Sequence, residues 1–194
     1  MMRHLPVLAL LCALTACASS VPIHYYLLET IPPAAGRPSS AVSSIGVRPV
    51  GMPDYLGRAE IVTRGADNRL DVNDLDRWGE TLDVLVTRTL AADLRAALPA
   101  SSVVVLPSDI QPPPVRRLTV EVDRFEADAS NMVTLSGRWQ LVDAQERPTA
   151  GAPFLIRQPI ATEAAADSSP RGAMATAMSQ ALATLTGQIA ASAR

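Results

Sequence analysis

Lysine is absent from the 194-residue sequence, and all 17 basic residues are arginine. A lysine amine is needed for P-loop phosphate binding, for Schiff-base formation and for Ser-Lys catalysis, so these three chemistries are excluded. The formal net charge is only -2. A mildly acidic chain of this kind lacks the clustered basic face that nucleic acid requires, and we expect no nucleic-acid partner.

Cysteine and histidine are equally scarce, with two of each. Cys12 and His4 lie in an N-terminal segment that we predict to be removed, and Cys17 is predicted to carry lipid. The mature chain then has no free thiol and no disulfide, which excludes thiol catalysis and cysteine-type zinc sites. The remaining histidine, His24, cannot supply a multi-histidine metal site, and we interpret it as a solvated or strand-edge imidazole. We therefore expect neither a cofactor nor a metal.

The N-terminus has the pattern of an export signal. An apolar run, residues 5–14, follows the basic side chain of Arg3 and precedes two small residues and Cys17. The run is too short for a transmembrane helix, which needs about 20 apolar residues. Its length and flanks are typical of a secretory signal peptide. The ending resembles the bacterial lipoprotein box, Leu-small-small-Cys, which implies that residues 1–16 are cleaved and that Cys17 is lipidated.

Lipidation would determine where the protein resides. A single acyl chain binds a membrane only marginally. Lipoproteins of the type that this N-terminus resembles carry three chains, which is enough for lasting attachment. In lipoproteins of that type, an aspartate after the cysteine implies retention in the inner membrane. Ala18 follows the cysteine here, so the resemblance implies the outer membrane, facing the periplasm, over the inner membrane. We expect residues 17–194 to form one domain, in which residues 29–43, with three prolines, are a loop or flexible connection.

The remaining pattern predicts an α+β fold. Strands are predicted at residues 23–28, 45–50, 59–64, 69–72, 103–106, 116–127, 133–141 and 154–160, and helices at residues 81–98 and from residue 170 onwards. Phe125 breaks the alternation of its strand, which predicts a bulge or a second buried surface there. On the first helix, leucines form the core stripe and Asp93 falls on the polar side. We expect a mixed, largely antiparallel sheet with two helices packed on one face.

Residues 71–80 are rich in carboxylates, including Asp74 and Asp76. A calcium loop is one interpretation, but the spacing of an EF-hand, with glycine at position six and glutamate at position twelve, is not met. Carboxylates are also favoured where a helix begins. We therefore interpret this stretch as the solvated, capped start of the first helix, with calcium binding as the alternative.

Four short blocks carry a resemblance to a known family. They are residues 45–56, which end in Pro-Asp-Tyr-Leu, residues 60–64, which end in Thr-Arg, residues 68–70 (Asn-Arg-Leu) and residues 76–78 (Asp-Arg-Trp). In this order and spacing they resemble the ABC-type transport auxiliary lipoproteins of the paraquat-inducible protein C and YmbA type. The resemblance covers essentially the whole mature chain.

The resemblance implies a non-enzymatic component of a lipid transport system that spans the cell envelope. In that family the lipoprotein is the outer-membrane-side partner of an MCE-domain protein, which is served by an inner-membrane ABC permease. Homo-oligomerisation is left open. No serine lies in a Gly-x-Ser-x-Gly motif, and no well-placed catalytic base accompanies a candidate serine. We therefore do not expect an enzyme. An adaptor lipoprotein that regulates cell-wall or envelope synthesis is the alternative function.

Three bulky residues are candidates for contact with the partner. Tyr55 and Leu56 fall in a predicted loop, and aromatic side chains are favoured as anchors of protein interfaces. Trp78 lies just before the first predicted helix. The alternative is that Tyr55 and Leu56 fold back onto the edge of the sheet and that Trp78 packs into the core.

Overall fold

The computed structural model describes residues 21–32, 44–161 and 169–193. The predicted signal peptide, Cys17 and residues 33–43 of the predicted connection lie outside these ranges. The strands are β1 (His24–Tyr26), β2 (Ser44–Val47), β3 (Glu60–Arg64), β4 (Leu70–Trp78), β5 (Ser102–Val105), β6 (Arg116–Asp128), β7 (Met132–Asp143) and β8 (Pro148–Pro159). The helices are α1 (Leu82–Ala97) and α2 (Pro170–Ser192), with short 3-10 turns at Asp54–Leu56 and Ala66–Asn68.

One mixed sheet contains all eight of these strands, which confirms the predicted α+β class. The longest ladders are antiparallel and join β6 to β7 and β7 to β8. The other edge of β6 is shared, because β2 pairs in parallel with its beginning and β3 pairs in parallel with its end. β5 extends the sheet beyond β2, and β4 followed by β1 extends it beyond β3.

The predicted bulge in β6 is confirmed, because the register with β7 shifts between Val122 and Arg124. Gly137 lies opposite Val122 at φ +157°, and a Cβ there would come within 2.0 Å of the Glu121 carbonyl oxygen. Only glycine fits this close approach. Beyond the bulge, the consecutive residues Phe125 and Glu126 are both buried. Since neighbouring strand residues point to opposite faces, both faces of the sheet are covered at this point.

Both helices form where their sequence patterns predict. α1 follows Thr81, and α2 follows Ser169, whose Oγ accepts a hydrogen bond of 3.0 Å from the Gly172 amide. Such a side-chain cap satisfies one of the free N–H groups at a helix start. The buried leucines and methionines of the two helices are Leu82, Leu85, Leu90, Leu94, Met174, Met178, Leu182 and Leu185. Within the described ranges, no helix is long and apolar enough to cross a membrane.

Two details of the predicted secondary structure are wrong. β4 continues to Trp78, so Asp74 and Asp76 lie in a strand and not at the start of a helix. Backbone pairing with β3 and β1 outweighs the preference of these polar residues for a helix start. The strand accommodates them through a local irregularity. The register with β3 jumps from Asn73 to Arg77, and the Leu75 amide donates to Asn73 Oδ1 at 2.9 Å. β8 begins at Pro148, six residues before the predicted strand, because its ladder with β7 extends that far.

Asp93 is also placed differently from the prediction, since its side chain is fully buried instead of facing solvent. The amphipathic pattern of α1 identifies the face that packs on the sheet and on α2. A second side of α1 is covered as well, because the segment after β1 crosses the helices. The Glu29 amide donates to Ser179 Oγ on α2 at 3.0 Å, and the Ile31 amide lies next to the Asp93 carboxylate on α1.

Candidate functional site

A buried carboxylate on β6 is the centre of the main polar cluster. Glu126 is fully buried, and its Oε1 accepts hydrogen bonds from Arg64 Nε at 2.8 Å and from Arg124 Nε at 2.9 Å. Its Oε2 accepts from the Tyr55 hydroxyl at 2.8 Å and from the Phe125 amide at 3.1 Å. Both oxygens are therefore satisfied, which makes the cluster a rigidifying network. We call Tyr55, Arg64, Arg124 and Glu126 the Glu126 cluster.

The Glu126 cluster joins two of the sequence blocks on which the family resemblance rests. Tyr55 belongs to the Pro-Asp-Tyr-Leu block and lies on the 3-10 turn, where the Leu56 amide donates to the Pro53 carbonyl at 3.0 Å. Arg64 ends β3 in the Thr-Arg block, and its guanidinium carbon lies 5.9 Å from the centroid of the Tyr55 ring. At this distance a cation is attracted to the ring face. One carboxylate thus fixes the turn against the end of β3.

The electrostatics of the cluster follow from burial and hydrogen bonding. Burial alone would raise the pKa of Glu126, but hydrogen bonds from Arg64, Tyr55 and Arg124 outweigh it and lower that pKa. For Tyr55, burial and the hydrogen bond to Glu126 raise the pKa to about 12. The hydroxyl therefore stays a neutral donor. With two arginines and one carboxylate, the cluster carries a net positive charge.

The three predicted contact residues are exposed to very different extents. Leu56 and Trp78 are almost completely buried in the hydrophobic core, whereas Tyr55 is only partly buried. Around Tyr55, the side chains of Asp54 and Arg58 are exposed. The structure therefore places Tyr55 and Leu56 on one turn. Of the three predicted contact residues, Tyr55 is the one with accessible surface.

Sequence reasoning missed Glu126 as a member of the site. The available signal was the break in alternation at Phe125, which predicted a second buried surface without indicating what covers it. The covering residues come from the 3-10 turn and from β3, and Tyr55 is 71 positions away from Glu126 in sequence. No local pattern connects residues that are so distant in the chain.

A second polar cluster ties the N-terminal strand to the body. Asp76 on β4 is nearly buried and accepts a hydrogen bond of 3.2 Å from the Tyr26 hydroxyl. It also lies 3.4 Å from His24 Nδ1 and 3.6 Å from Arg171 Nε at the start of α2. The same Tyr26 hydroxyl is 3.1 Å from Ser169 Oγ. β1 is therefore attached both to β4 and to the N-terminus of α2.

Asp93 on α1 is a third buried carboxyl group. Among the described residues, neither of its oxygens has a hydrogen-bond partner. Burial raises its pKa to about 7, and the nearby Ile31 amide offsets only part of that rise. Such an unpaired group is costly to a fold. Over the same described ranges, no three His, Cys, Asp or Glu side chains form a group that could hold a metal ion.

The fold is shared with several solved structures, among them the following two. One is a crystal structure of an uncharacterized protein, with a TM-score of 0.70, 23% sequence identity, and coverage of 88% of this chain and 98% of that chain. The other is the crystal structure of protein XCC0632 from Xanthomonas campestris, with a TM-score of 0.67, 15% identity, and coverage of 86% and 92%. These similarities define the architecture as a known α+β class. No curated protein sequence gives a significant match.

The family of the chain is defined by its sequence. The sequence model described as "ABC-type transport auxiliary lipoprotein component" matches residues 25–190, and the chain belongs to this family. The match runs from β1 almost to the end of α2. The predicted resemblance is thereby confirmed. The protein is an auxiliary lipoprotein of an ABC-type transport system, is associated with a membrane, and comes from a family of transport components and not of enzymes.

Proposed function

We propose that this protein is the outer-membrane-side component of an MCE-type lipid transport system and docks the MCE-domain protein. The observation that supports this most is the family match over residues 25–190, which covers almost the whole described body. A lipid in transit through the aqueous periplasm must stay shielded, because exposing apolar surface costs about 25 cal/mol per Å². A protein conduit for lipid therefore needs a fixed docking point at its far end, and a lipid-anchored globular domain supplies one.

The anchor in this proposal is lipid on Cys17, with residues 17–194 as a single mature domain. Replacing Cys17 with alanine is expected to abolish cleavage and lipidation and to remove the mature protein from the outer-membrane fraction. Cys12→Ala is the matched control, since Cys12 lies in the segment that is cleaved away, and it should change neither property. Membrane fractionation and intact-mass spectrometry measure both outcomes. A Cys17→Ala protein that remains in the outer membrane would contradict the anchor.

The docking surface in this proposal is centred on Tyr55, while Leu56 and Trp78 are buried in the core of the domain. Three observations favour the turn. Its aromatic ring is partly accessible, the nearby residues Asp54 and Arg58 in the chain are exposed, and the Glu126 cluster holds the ring rigid. A rigid aromatic anchor loses little conformational entropy on binding, which is why such residues are favoured at interfaces.

Affinity purification of the tagged protein from membranes tests the function and this surface together. We expect an MCE-domain protein as the main partner of the wild-type chain, whereas a peptidoglycan synthase in its place would support the adaptor alternative. Tyr55→Ala should lose most of the co-purified partner, and Tyr55→Phe, which keeps the ring, should retain it. A folded Tyr55→Ala protein that co-purifies undiminished would reject this surface but not docking itself.

A further inference from the structure

Four large apolar side chains of the N-terminal segment face solvent at alternate positions. The exposed fractions are 63% for Val21, 43% for Ile23, 65% for Tyr25 and 59% for Leu27. The alternate residues Tyr26 and Leu28 pack towards the core instead. A single exposed apolar side chain is ordinary, but four within seven residues form a patch of the kind that marks an interaction site. We call Val21, Ile23, Tyr25 and Leu27 the apolar stripe.

The apolar stripe lies at an edge of the sheet. β1 pairs in parallel with β4, and in the described part of the chain no strand covers its other side. Tyr25 is in register with Arg77, whereas Tyr26 is in register with the buried Trp78. Tyr25 therefore points to the same face as Arg77, away from the core. Leu75 and Arg77 lie on either side of Asp76 in β4, so their side chains point to the same face. Leu75 is 38% exposed and adds another apolar side chain to that face.

The position of the apolar stripe along the chain identifies its occupant. Val21 follows the predicted lipidated residue, Cys17, by four positions. Since an extended chain spans at most about 3.6 Å per residue, Val21 lies within about 14 Å of the lipid attachment point. The acyl chains must lie in the hydrocarbon core, and the headgroup layer on each side of a bilayer is only about 5–8 Å thick. The apolar stripe thus begins within reach of the headgroup layer, no more than about 14 Å from the lipid attachment point.

The composition of the segment suits this location. Residues 21–28 contain no acidic residue and no arginine, and the first carboxylate after the predicted anchor is Glu29. Tyrosine is enriched at membrane–water interfaces, where its ring and its polar hydroxyl both find suitable surroundings. We infer that the apolar stripe rests on the surface of the membrane that holds the lipid of Cys17, so that β1 fixes the orientation of the domain. This inference depends on the lipidation in the proposed function but not on the MCE partner.

Spin labels in the full-length lipidated protein test the inference. Leu27→Cys places the label in the apolar stripe, and Leu155→Cys on the opposite edge strand β8 is the matched control, because that leucine is equally exposed at 65%. Tyr25→Cys gives a second position in the stripe if Leu27 does not tolerate the label. Each protein is reconstituted into vesicles of phosphatidylethanolamine and phosphatidylglycerol and isolated by flotation. Collisions of the label with oxygen and with a water-soluble nickel chelate are then measured.

We expect the ratio of oxygen to nickel collisions to be severalfold higher at Leu27→Cys than at Leu155→Cys. Equal ratios at the two sites in floated vesicles would overturn the inference. Spin–spin broadening at Leu27→Cys that persists when the vesicles are diluted with lipid would also overturn it, because a second copy of the chain would then cover the stripe. Failure to float would contradict lipidation, and hence both the inference and the proposed anchor. Membrane contact without co-purification of an MCE-domain protein would support the inference while rejecting the proposed partner.

Discussion

Glu126→Leu is expected to lower the free energy of unfolding by about 1–3 kcal/mol, the usual cost of leaving buried hydrogen-bonding groups without a partner. The substitution leaves the Tyr55 hydroxyl and the Phe125 amide without their acceptor, and it removes the carboxylate that holds Arg64 and Arg124. Urea unfolding measures the loss. Glu126→Gln, which keeps the shape and an acceptor oxygen, should lose less.

The matched control for this prediction is Glu121→Leu, which changes an exposed glutamate on the same strand. Exposed substitutions usually alter stability by no more than about 0.5 kcal/mol.

The difference in free energy of unfolding between wild type and Glu126→Leu should also depend on pH. Because the pKa of Glu126 is lower in the folded state, its stabilising effect is present above the unfolded pKa and is lost as pH falls through the folded pKa. A Glu126→Leu protein as stable as wild type at neutral pH would contradict the structural role of the cluster.

Asp93→Asn is expected to raise stability, and by more at pH 8 than at pH 5. The pKa of Asp93 rises from 3.8 to about 7 on folding, so wild-type stability falls as pH rises between those values. At about 1.4 kcal/mol per pH unit, the upper limit of this penalty is about 4 kcal/mol above neutrality. Asparagine does not titrate and carries no such penalty. Urea unfolding of both proteins at the two pH values measures the difference.

Asp83→Asn is the matched control, since Asp83 lies in the first turn of the same helix and is partly exposed. A negative charge there stabilises the helix by about 0.3–1 kcal/mol, so this variant should be slightly destabilised at both pH values. If the difference between wild type and Asp93→Asn is the same at pH 5 and pH 8, Asp93 is not the buried titrating group that the structure places on α1.

Much of the framework is predictable because its signals are local. The alternation of Leu118, Val120 and Val122 specifies the buried face of β6, and the break at Phe125 indicates the bulge. The leucine stripe specifies α1, and the Ser169-Pro170 pair marks the start of α2. These elements depend on side-chain periodicity and capping, which act within a few residues.

The remaining features depend on contacts between distant segments. Residues 73–78 have the composition of a helix start, yet they form a strand because β1 and β3 supply backbone partners on both sides. Asp93 has the position of a surface residue on an amphipathic helix, yet a segment more than sixty residues earlier covers it. Glu126 becomes a site only when the turn carrying Tyr55 folds over it. In each case tertiary packing overrides the local preference.

Binding of the lipidated full-length protein to the purified MCE-domain protein of the same genome tests the central claim most directly. With the lipoprotein in a nanodisc, size-exclusion chromatography and mass spectrometry of the eluted complex measure the association and its stoichiometry. We predict a stable complex that persists through the column and that Tyr55→Ala weakens. Separate elution of the two proteins, with a peptidoglycan synthase bound in the same assay, would contradict the proposed function.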